Sequence, residues 1–372
     1  MKKIKILYTI PNFDTAGSGK ALLNIAKGLD KDIFEPHIMC LHDRGEFFKT
    51  VKASGIPIHI YSYLSNPRPL SALFNSVRKI SKKFKEIKPD IIHSFHYAPD
   101  YTEALAAKLA GITWTFTKKN MNWGGASKNA WKLRSLLAKR IIIQNTDMKN
   151  KMYPTSKKTD LISRGVNTTS FAPLEQKNKE LRKKFNTGID QRILITVANM
   201  APVKGIELLI QSFANLEEVN HNWVIWLVGN ADNPYGKELK KLVKEKDLED
   251  KIIFTGKQLA VNQFLNEAEV FVLPTKNIGE GSPVALLEAM ASGTTVIGSK
   301  VPGINDQLEN YQSHLFQPEN IVDLEQVLRN FLILNTKDLM QQGAMFRDFV
   351  KKNYSIEIEV EKHEVFYKKI LA

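Results

Sequence analysis

The sequence has one cysteine in 372 residues. A single thiol, Cys40, closes no intrachain disulfide, which excludes a small fold held together by disulfides. It follows Ile38 and Met39 in an apolar run and reads as a small buried hydrophobe. No run approaches the roughly 18 apolar residues that a membrane-spanning helix needs. The apolar stretch in the opening MKKIKILYTIPNF stops at Pro11 and lacks a small-residue cleavage site, so it reads as a first β-strand rather than a signal peptide. No cysteine or histidine cluster has zinc spacing. The one Asp-x-Asp, Asp30–Lys31–Asp32, follows a helix and reads as its solvated end. Short repeats and low-complexity tracts are also missing. These absences leave a cytoplasmic globular protein as the expectation.

What is present is charge, unevenly placed. The formal net charge is +14. Residues 1–172 hold 29 Lys and Arg against 12 Asp and Glu, and residues 173–372 hold 24 against 27. The basic half is expected to meet something anionic: a phospholipid surface, a lipid-diphosphate acceptor or nucleic acid. Motifs of nucleic-acid readers, RNP-like aromatics and zinc fingers, are missing, so no nucleic-acid partner is expected.

Length favours two domains. Strand and helix patterns alternate from Ile4 to Gln144, with a long amphipathic helix over Leu70–Ile87 whose outer face is basic. The polar stretch Pro173–Asp190 reads as a break, after which strands at Ile193–Val197, Trp223–Val228, Ile252–Thr255, Val270–Pro274 and Thr295–Gly298 alternate with helices again. Such alternation predicts parallel sheets covered on both faces. The expected fold is α/β, with two Rossmann-like doubly wound domains facing a central cleft where the strands' carboxyl ends meet. The domains are expected at 1–172 and 173–355, with the amphipathic tail 356–372 closing back onto the first.

The chemistry concentrates in VFVLPTKNIGEGSPVALLEAMASG, residues 270–293. It reads as a strand, a glycine turn and a helix. Gly279 and Gly281 let a ligand approach the backbone. Pro283 suits a first helical turn, and the helix start offers unpaired N–H groups and partial positive charge to a phosphate. Glu280 beside a phosphate would repel it, unless the carboxylate reaches past it to a hydroxyl-rich group. Glu288 lies about two helical turns further on, placed to take ribose hydroxyls. A nucleotide sugar satisfies both carboxylates and the helix start.

The segment EGSPVALLEAMASG resembles the Glu-x7-Glu signature of glycosyltransferase family 4, retaining enzymes of the GT-B fold and typical of bacterial polysaccharide synthesis. Four further segments resemble the family in the same order: KILYTIPNFDTAGSGKALLNIAKGL, SRGVNTTSFAP, VANMAPVKGIELLI and SKVPGINDQL. The resemblance implies that Glu280 contacts the donor sugar and Glu288 the ribose, with Gly281, Ser282 and Pro283 at the helix start. It implies that Lys204 binds the diphosphate, and that the Gly17 amide donates to its distal phosphate. Asn199 stands where the family has arginine; an amide can hydrogen-bond a phosphate but cannot neutralise it, and Lys300 is a candidate replacement cation. The family's histidine near the donor sugar falls on Phe95 or His96, depending on the gap chosen, with His93 nearby; His96 is the choice. Lys118, Lys119, Asn120 and Trp123 suit an acceptor carrying both phosphate and sugar.

The resemblance thus implies a metal-independent hexosyltransferase that takes a UDP- or GDP-sugar donor. The acceptor would be a saccharide or lipid-linked saccharide, with peripheral association at the inner face of an anionic membrane. The motif GSGK at 17–20 is not a phosphate-binding P-loop, because Asp14 replaces its first glycine and Ala21 its Ser or Thr. Two rival readings remain at this stage: a GT-B-fold nucleotide-sugar epimerase, and a non-enzymatic basic binding module.

Overall fold

The computed structural model describes residues 2–14, 16–65, 69–123 and 127–372, with Ala16 and Glu46 described by backbone alone. The chain forms two compact units, Met1–Arg164 with Ile356–Ala372, and Gly165–Ser355.

The first unit is built on seven parallel strands: β1 (Ile4–Thr9), β2 (Phe34–Cys40), β3 (Ile58–Ile60), β4 (Ile91–Ser94), β5 (Thr113–Lys118), β6 (Arg140–Ile143) and β7 (Thr159–Leu161). Their order is β3-β2-β1-β4-β5-β6-β7. Side-chain alternation along β1 shows how two core layers arise. Ile6 and Tyr8 join one buried cluster, with Leu22, Ala26 and Phe34, and Leu7 joins the other, with Ile92, Phe116 and Trp131. Cys40 is fully buried in the first of these clusters.

The tail forms the helix Ile356–Leu371, which buries Val360, Phe366, Tyr367 and Ile370 in the first unit's core. A Cβ at Gly28 would stand 2.6 Å from the Val360 side chain, so glycine there lets the two helices meet. The Tyr367 hydroxyl donates to the Tyr8 hydroxyl (3.0 Å), which ties the tail to β1.

The second unit has six parallel strands: β8 (Arg192–Val197), β9 (Trp223–Val228), β10 (Ile252–Gly256), β11 (Val270–Leu273), β12 (Thr295–Ser299) and β13 (Leu315–Phe316), in the order β10-β9-β8-β11-β12-β13. β9 is apolar throughout, as a strand covered on both faces should be. Trp223, Ile225 and Leu227 face one core and Val224, Trp226 and Val228 the other.

The unit boundary falls eight residues before the expected one, at Arg164/Gly165. Val166 bridges Ser355 and its N–H donates to the Tyr354 carbonyl (2.9 Å), while Phe171 is buried in the second core. The polar stretch after Pro173 is part of the second unit as well. It contains the helix Lys179–Lys184, whose buried Arg182 donates to Glu267 (2.6 Å) and to the carbonyls of Gly188 and Gln191. Strand β7 and the helix Thr146–Met152 are further elements the apolar pattern did not disclose.

Candidate active site

In each unit the strand order reverses once, between β1 and β4 and between β8 and β11. Loops leaving neighbouring strands there diverge to opposite faces and open a crevice at the carboxyl ends. The segments that follow β1, β4, β8 and β11 carry Gly17, His96, Asn199, Lys204 and residues 280–283.

In the second unit, Lys204 sits in the short 3-10 turn Pro202–Lys204 between β8 and the helix Ile206–Ala214. Its ammonium lies 2.5 Å from a Glu280 carboxylate oxygen, which also accepts from the Thr275 hydroxyl at 2.9 Å. The structure thus joins two residues that are 76 positions apart in the chain. Both side chains are about one-fifth exposed, so the pair is neither sealed in the core nor fully solvated. An ammonium carries three donors and the Glu280 bond uses one. The arrangement therefore offers a cation and a carboxylate side by side.

Backbone bonds fix this pair. The Lys276 N–H donates to the Val203 carbonyl (2.9 Å), which stitches the Lys204 turn to the loop after β11. The Glu280 N–H donates to the Pro302 carbonyl (2.9 Å). Gly303 adopts φ 81°, and a Cβ there would lie 2.8 Å from the Gly281 carbonyl and 2.9 Å from that of Glu280. Glycine is thus required where the loop after β12 passes over the Glu280 turn. The Ser299 hydroxyl donates to the Thr275 carbonyl (2.5 Å), and Gln307 donates to the Ser282 hydroxyl (3.1 Å).

Behind the Lys204 turn, Lys276 pairs with Glu207 (2.5 Å), and Glu207 accepts from the Tyr235 hydroxyl. That hydroxyl in turn accepts from the Ile206 N–H (3.0 Å). Burial, and then the Glu207 carboxylate beside it, hold the Tyr235 phenol in its protonated form. Thr275, Ser299, Gln307 and the Lys276–Glu207–Tyr235 chain were not foreseen from the sequence. Only the position of Thr275 next to the strand-ending Pro274 offered a signal.

Pro283 is the residue before the helix Val284–Ala291 rather than within its first turn, and no side chain caps that helix. Gly281 and Pro283 are buried, and Glu288 is half-buried on the same helix. Asn199 is exposed beyond β8, and Lys300 is exposed beyond β12.

In the first unit, Gly17 lies in the first turn of the helix Ala16–Gly28, where amides have no intrahelical acceptor. Nothing lies within 4 Å of a Cβ built there. The neighbouring Ser18 hydroxyl donates to the Tyr97 hydroxyl (2.5 Å), so the loops after β1 and β4 are tied together.

His96 stands in the β4 loop, with its Nδ1 buried and without a hydrogen-bond partner among the described residues. Burial, then the nearby Arg134 and Lys119 cations, lower its pKa to about 3, so the ring is neutral at ordinary pH. His93 takes the other role open to a strand-end histidine. It is fully buried, with Nδ1 on the Tyr367 hydroxyl (2.7 Å) and Nε2 on that of Thr117 (2.8 Å).

Lys118 and Lys119 face inward, contrary to the expected acceptor role. The Lys118 ammonium donates to the Asn120 carbonyl, the Asn120 side chain and the Asn122 carbonyl at 2.6–2.8 Å, and lies 4.1 Å from the Trp131 ring centroid. Burial pulls its pKa down to about 7. Lys119 donates to the Phe95 carbonyl and to Ser18, over the Tyr97 ring. Trp123 stacks on Trp131, which leaves it in the wall of the core.

Beneath this loop lies a buried polar network that the sequence reading missed. Glu103 accepts from the hydroxyls of Thr9 (2.5 Å) and Ser94 (2.7 Å). Arg134, fully buried, donates to Ser94 and to the carbonyls of Ala98 and Asp100, fixing the segment that bears His96. No group of three or more His, Cys, Asp or Glu side chains among the described residues is arranged to hold a metal. Asp30 and Asp32 instead form a local turn, the Asp30 carboxylate accepting from the Asp32 N–H (2.8 Å).

Two Rossmann-like units with loops of this kind at their strand ends define a GT-B-type architecture. Residues 177–344 match the family model of glycosyl transferases group 1, and residues 15–170 match that of glycosyltransferase family 4. The chain belongs to this glycosyltransferase family and is an enzyme of that class. It is 22% identical over 365 residues to an uncharacterized glycosyltransferase of Haemophilus influenzae, covering 96% of this chain and 98% of the relative. An O-antigen biosynthesis glycosyltransferase of Escherichia coli, WclY, is 25% identical over 317 residues, or 80% of this chain and 81% of that one. Among solved structures, Anabaena HepE in complex with UDP and glucose superposes with a TM-score of 0.83 at 17% identity, over 98% of this chain and 99% of that one. The fold is shared at that distance. Family membership sets aside the non-enzymatic binding module.

Proposed function

We propose that the protein is a retaining, metal-independent glycosyltransferase that moves a sugar from a UDP- or GDP-sugar to an acceptor hydroxyl in cell-surface polysaccharide or glycolipid synthesis. The observation that carries this reading is the Lys204–Glu280 pair, 2.5 Å apart at the strand ends of the second unit. Lys204 would turn to the donor diphosphate. Glu280, released, would accept hydroxyls of the donor sugar, and Glu288 those of the ribose.

Leaving-group charge would be stabilised by Lys204, by the Gly17 amide and by the helix start near Gly281, Ser282 and Pro283. Asn199 would add a hydrogen bond without charge. Neutral His96, with an unsatisfied ring nitrogen, would face the sugar as a hydrogen-bonding group. Attack from the face of the departing diphosphate would retain configuration without a protein nucleophile.

The UDP and glucose named for the Anabaena relative support a nucleotide-sugar donor, and the O-antigen assignment of the Escherichia coli relative supports a saccharide or lipid-linked saccharide acceptor. The basic first unit would hold that acceptor at an anionic membrane surface, with no role in binding nucleic acid.

The test is a thermal-shift panel of UDP, GDP, ADP and their sugars, followed by product analysis. UDP or GDP should raise the melting temperature, since a ligand bound only by the native state stabilises it. Transfer should give the donor's own anomeric configuration. An inverted product would remove the retaining assignment, and isomerisation of the sugar nucleotide without any acceptor would turn the reading into an epimerase.

A further inference from the structure

The strand ends of the second unit carry a second ion pair that mirrors the first. The segment after β8 holds Lys204 and, in the first turn of the helix Ile206–Ala214, Glu207. The loop after β11 holds Lys276 and, one helical turn's worth of chain later, Glu280. Each segment thus brings one cation and one carboxylate, and the pairs are crossed. Lys204 bonds Glu280 and Lys276 bonds Glu207, both at 2.5 Å. The two backbones also meet between the pairs. The Lys276 N–H donates to the Val203 carbonyl (2.9 Å), and a Cβ at Gly205, φ 61°, would strike the Pro274 carbonyl. The two pairs differ in what stands behind the carboxylate. Glu280 accepts from the Thr275 hydroxyl of its own loop. Glu207 gives one oxygen to Lys276 and the other to the hydroxyl of Tyr235, a buried residue of a third element, the helix Pro234–Glu245. That hydroxyl also takes the Ile206 N–H, next to Glu207 itself.

We propose that Lys276 and Glu207 are positioning residues for the transfer reaction: their pair is the fixed half of a clasp that keeps the two loops in register while the Lys204–Glu280 half opens to the donor. The proposal rests on the reading that Lys204 turns to the diphosphate. That movement gives up the ammonium's bond to Glu280 and with it one tie between the loops. The crossed pair keeps the other tie, because its carboxylate is anchored on both oxygens and one anchor is a buried phenol. Burial and the adjacent carboxylate hold that phenol protonated, so it continues to donate. With Lys276 held, the Val203 carbonyl keeps its N–H, and the Lys204 turn stays beside the Glu280 loop. Lys276 and Glu207 are between a fifth and a third exposed. An ion pair that open to water adds little to folding stability. Its consequence is geometric, since a charge-stabilising group is effective only where charge develops.

The experiment is calorimetric titration of UDP and GDP into the full chain, with a melting curve on each preparation. The wild type is compared with Lys276→Met, Glu207→Gln, Lys204→Ala and the double variant Lys204→Ala/Lys276→Met. Methionine keeps the length of the stem and glutamine the shape of the carboxylate, and each removes the charge. Lys276→Met and Glu207→Gln should each weaken nucleotide binding about fivefold or more. Neither should melt more than about 4 °C below the wild type. In the Lys204→Ala background the methionine should change affinity by less than about twofold, because a residue that acts through Lys204 has nothing left to position. Wild-type affinity in Lys276→Met overturns the proposal. So do losses that multiply in the double variant, or tighter binding by Glu207→Gln, either of which would make Lys276 a direct phosphate ligand. A wild type that binds neither nucleotide, or binds no better than Lys204→Ala, removes the phosphate role of Lys204 and this proposal together. A weakened Lys204→Ala beside an unaffected Lys276→Met removes the positioning role alone and leaves the donor site standing.

Discussion

The two units share a fold and use charge in opposite ways. The first has a large cationic excess, yet its strand-end loops spend their cations inward: Arg134 holds carbonyls, Lys118 closes a loop and Lys119 ties three loops together. The second unit is slightly acidic, yet its strand-end crevice presents Lys204 at the surface, balanced by Glu280. Net charge therefore does not single out the proposed phosphate site. A phosphate site needs a cation whose present partner can be exchanged, and a carboxylate one-fifth exposed is such a partner. A guanidinium or ammonium buried against carbonyls is not, because moving it would strand a charge away from water.

The sharpest way to break the comparison is to cut the buried network. Glu103→Ala removes the acceptor of the buried Thr9 and Ser94 hydroxyls, the second of which also accepts from Arg134, and each buried polar group left unsatisfied costs about 1–3 kcal/mol. Chemical denaturation should show the first unit unfolding at much lower denaturant while the second holds. An unchanged first transition would mean that the network does not depend on Glu103.

Lys204→Ala is the counterpart in the second unit. Removing one stabiliser of developing charge costs roughly 10²–10³ in rate, and the one-fifth-exposed site, which water can reach, predicts little loss of stability. Transfer kinetics and a melting curve on one preparation check both halves.

Acid should separate the units next. Burial lowers the pKa of His93 well below the usual range, that of His363 to about 4 and that of His96 to about 3, all in the first unit. In the unfolded chain these rings protonate near 6.5. Their contribution is therefore complete above that pH and is lost as pH falls toward 4 and 3, by about 1.4 kcal/mol per pH unit for each ring that stays neutral. The second unit has only His314 with a lowered value among the described residues. Melts between pH 7 and 5 should show the first unit losing stability faster.

The smallest effect contrasts two glycines. Gly303→Ala meets two carbonyls at positive φ and should cost on the order of 1 kcal/mol or more. Gly17→Ala has open space and helical geometry, and should gain up to about 1 kcal/mol. A large loss of donor affinity in the stabilised Gly17→Ala protein would mark close approach of the ligand to that backbone.

Much of this was legible in the residues. Apolar strands such as β9 and β11 and the long helix Leu70–Ile87 announced themselves by period, and the eight-residue interval between Glu280 and Glu288 marked the helix that bears the crevice. What failed to show were features held by polar contacts. The helix Lys179–Lys184 has little apolar periodicity because the Arg182–Glu267 pair anchors it, so its segment read as a polar break in the pattern. Whether a lysine points inward is not written in its neighbours, and Lys118 and Lys119 were therefore misjudged. Thr275 and the Lys276–Glu207–Tyr235 chain depend on loops meeting across long sequence separations, which periodicity does not record.

The central claim is that Lys204, now paired with Glu280, receives the donor diphosphate. Calorimetric titration of UDP and GDP into the wild type and Lys204→Ala tests it most directly. The account predicts binding of one of the two nucleotides by the wild type and a loss of at least about thirtyfold in the variant, about 2 kcal/mol. Equal affinity in both proteins would contradict it.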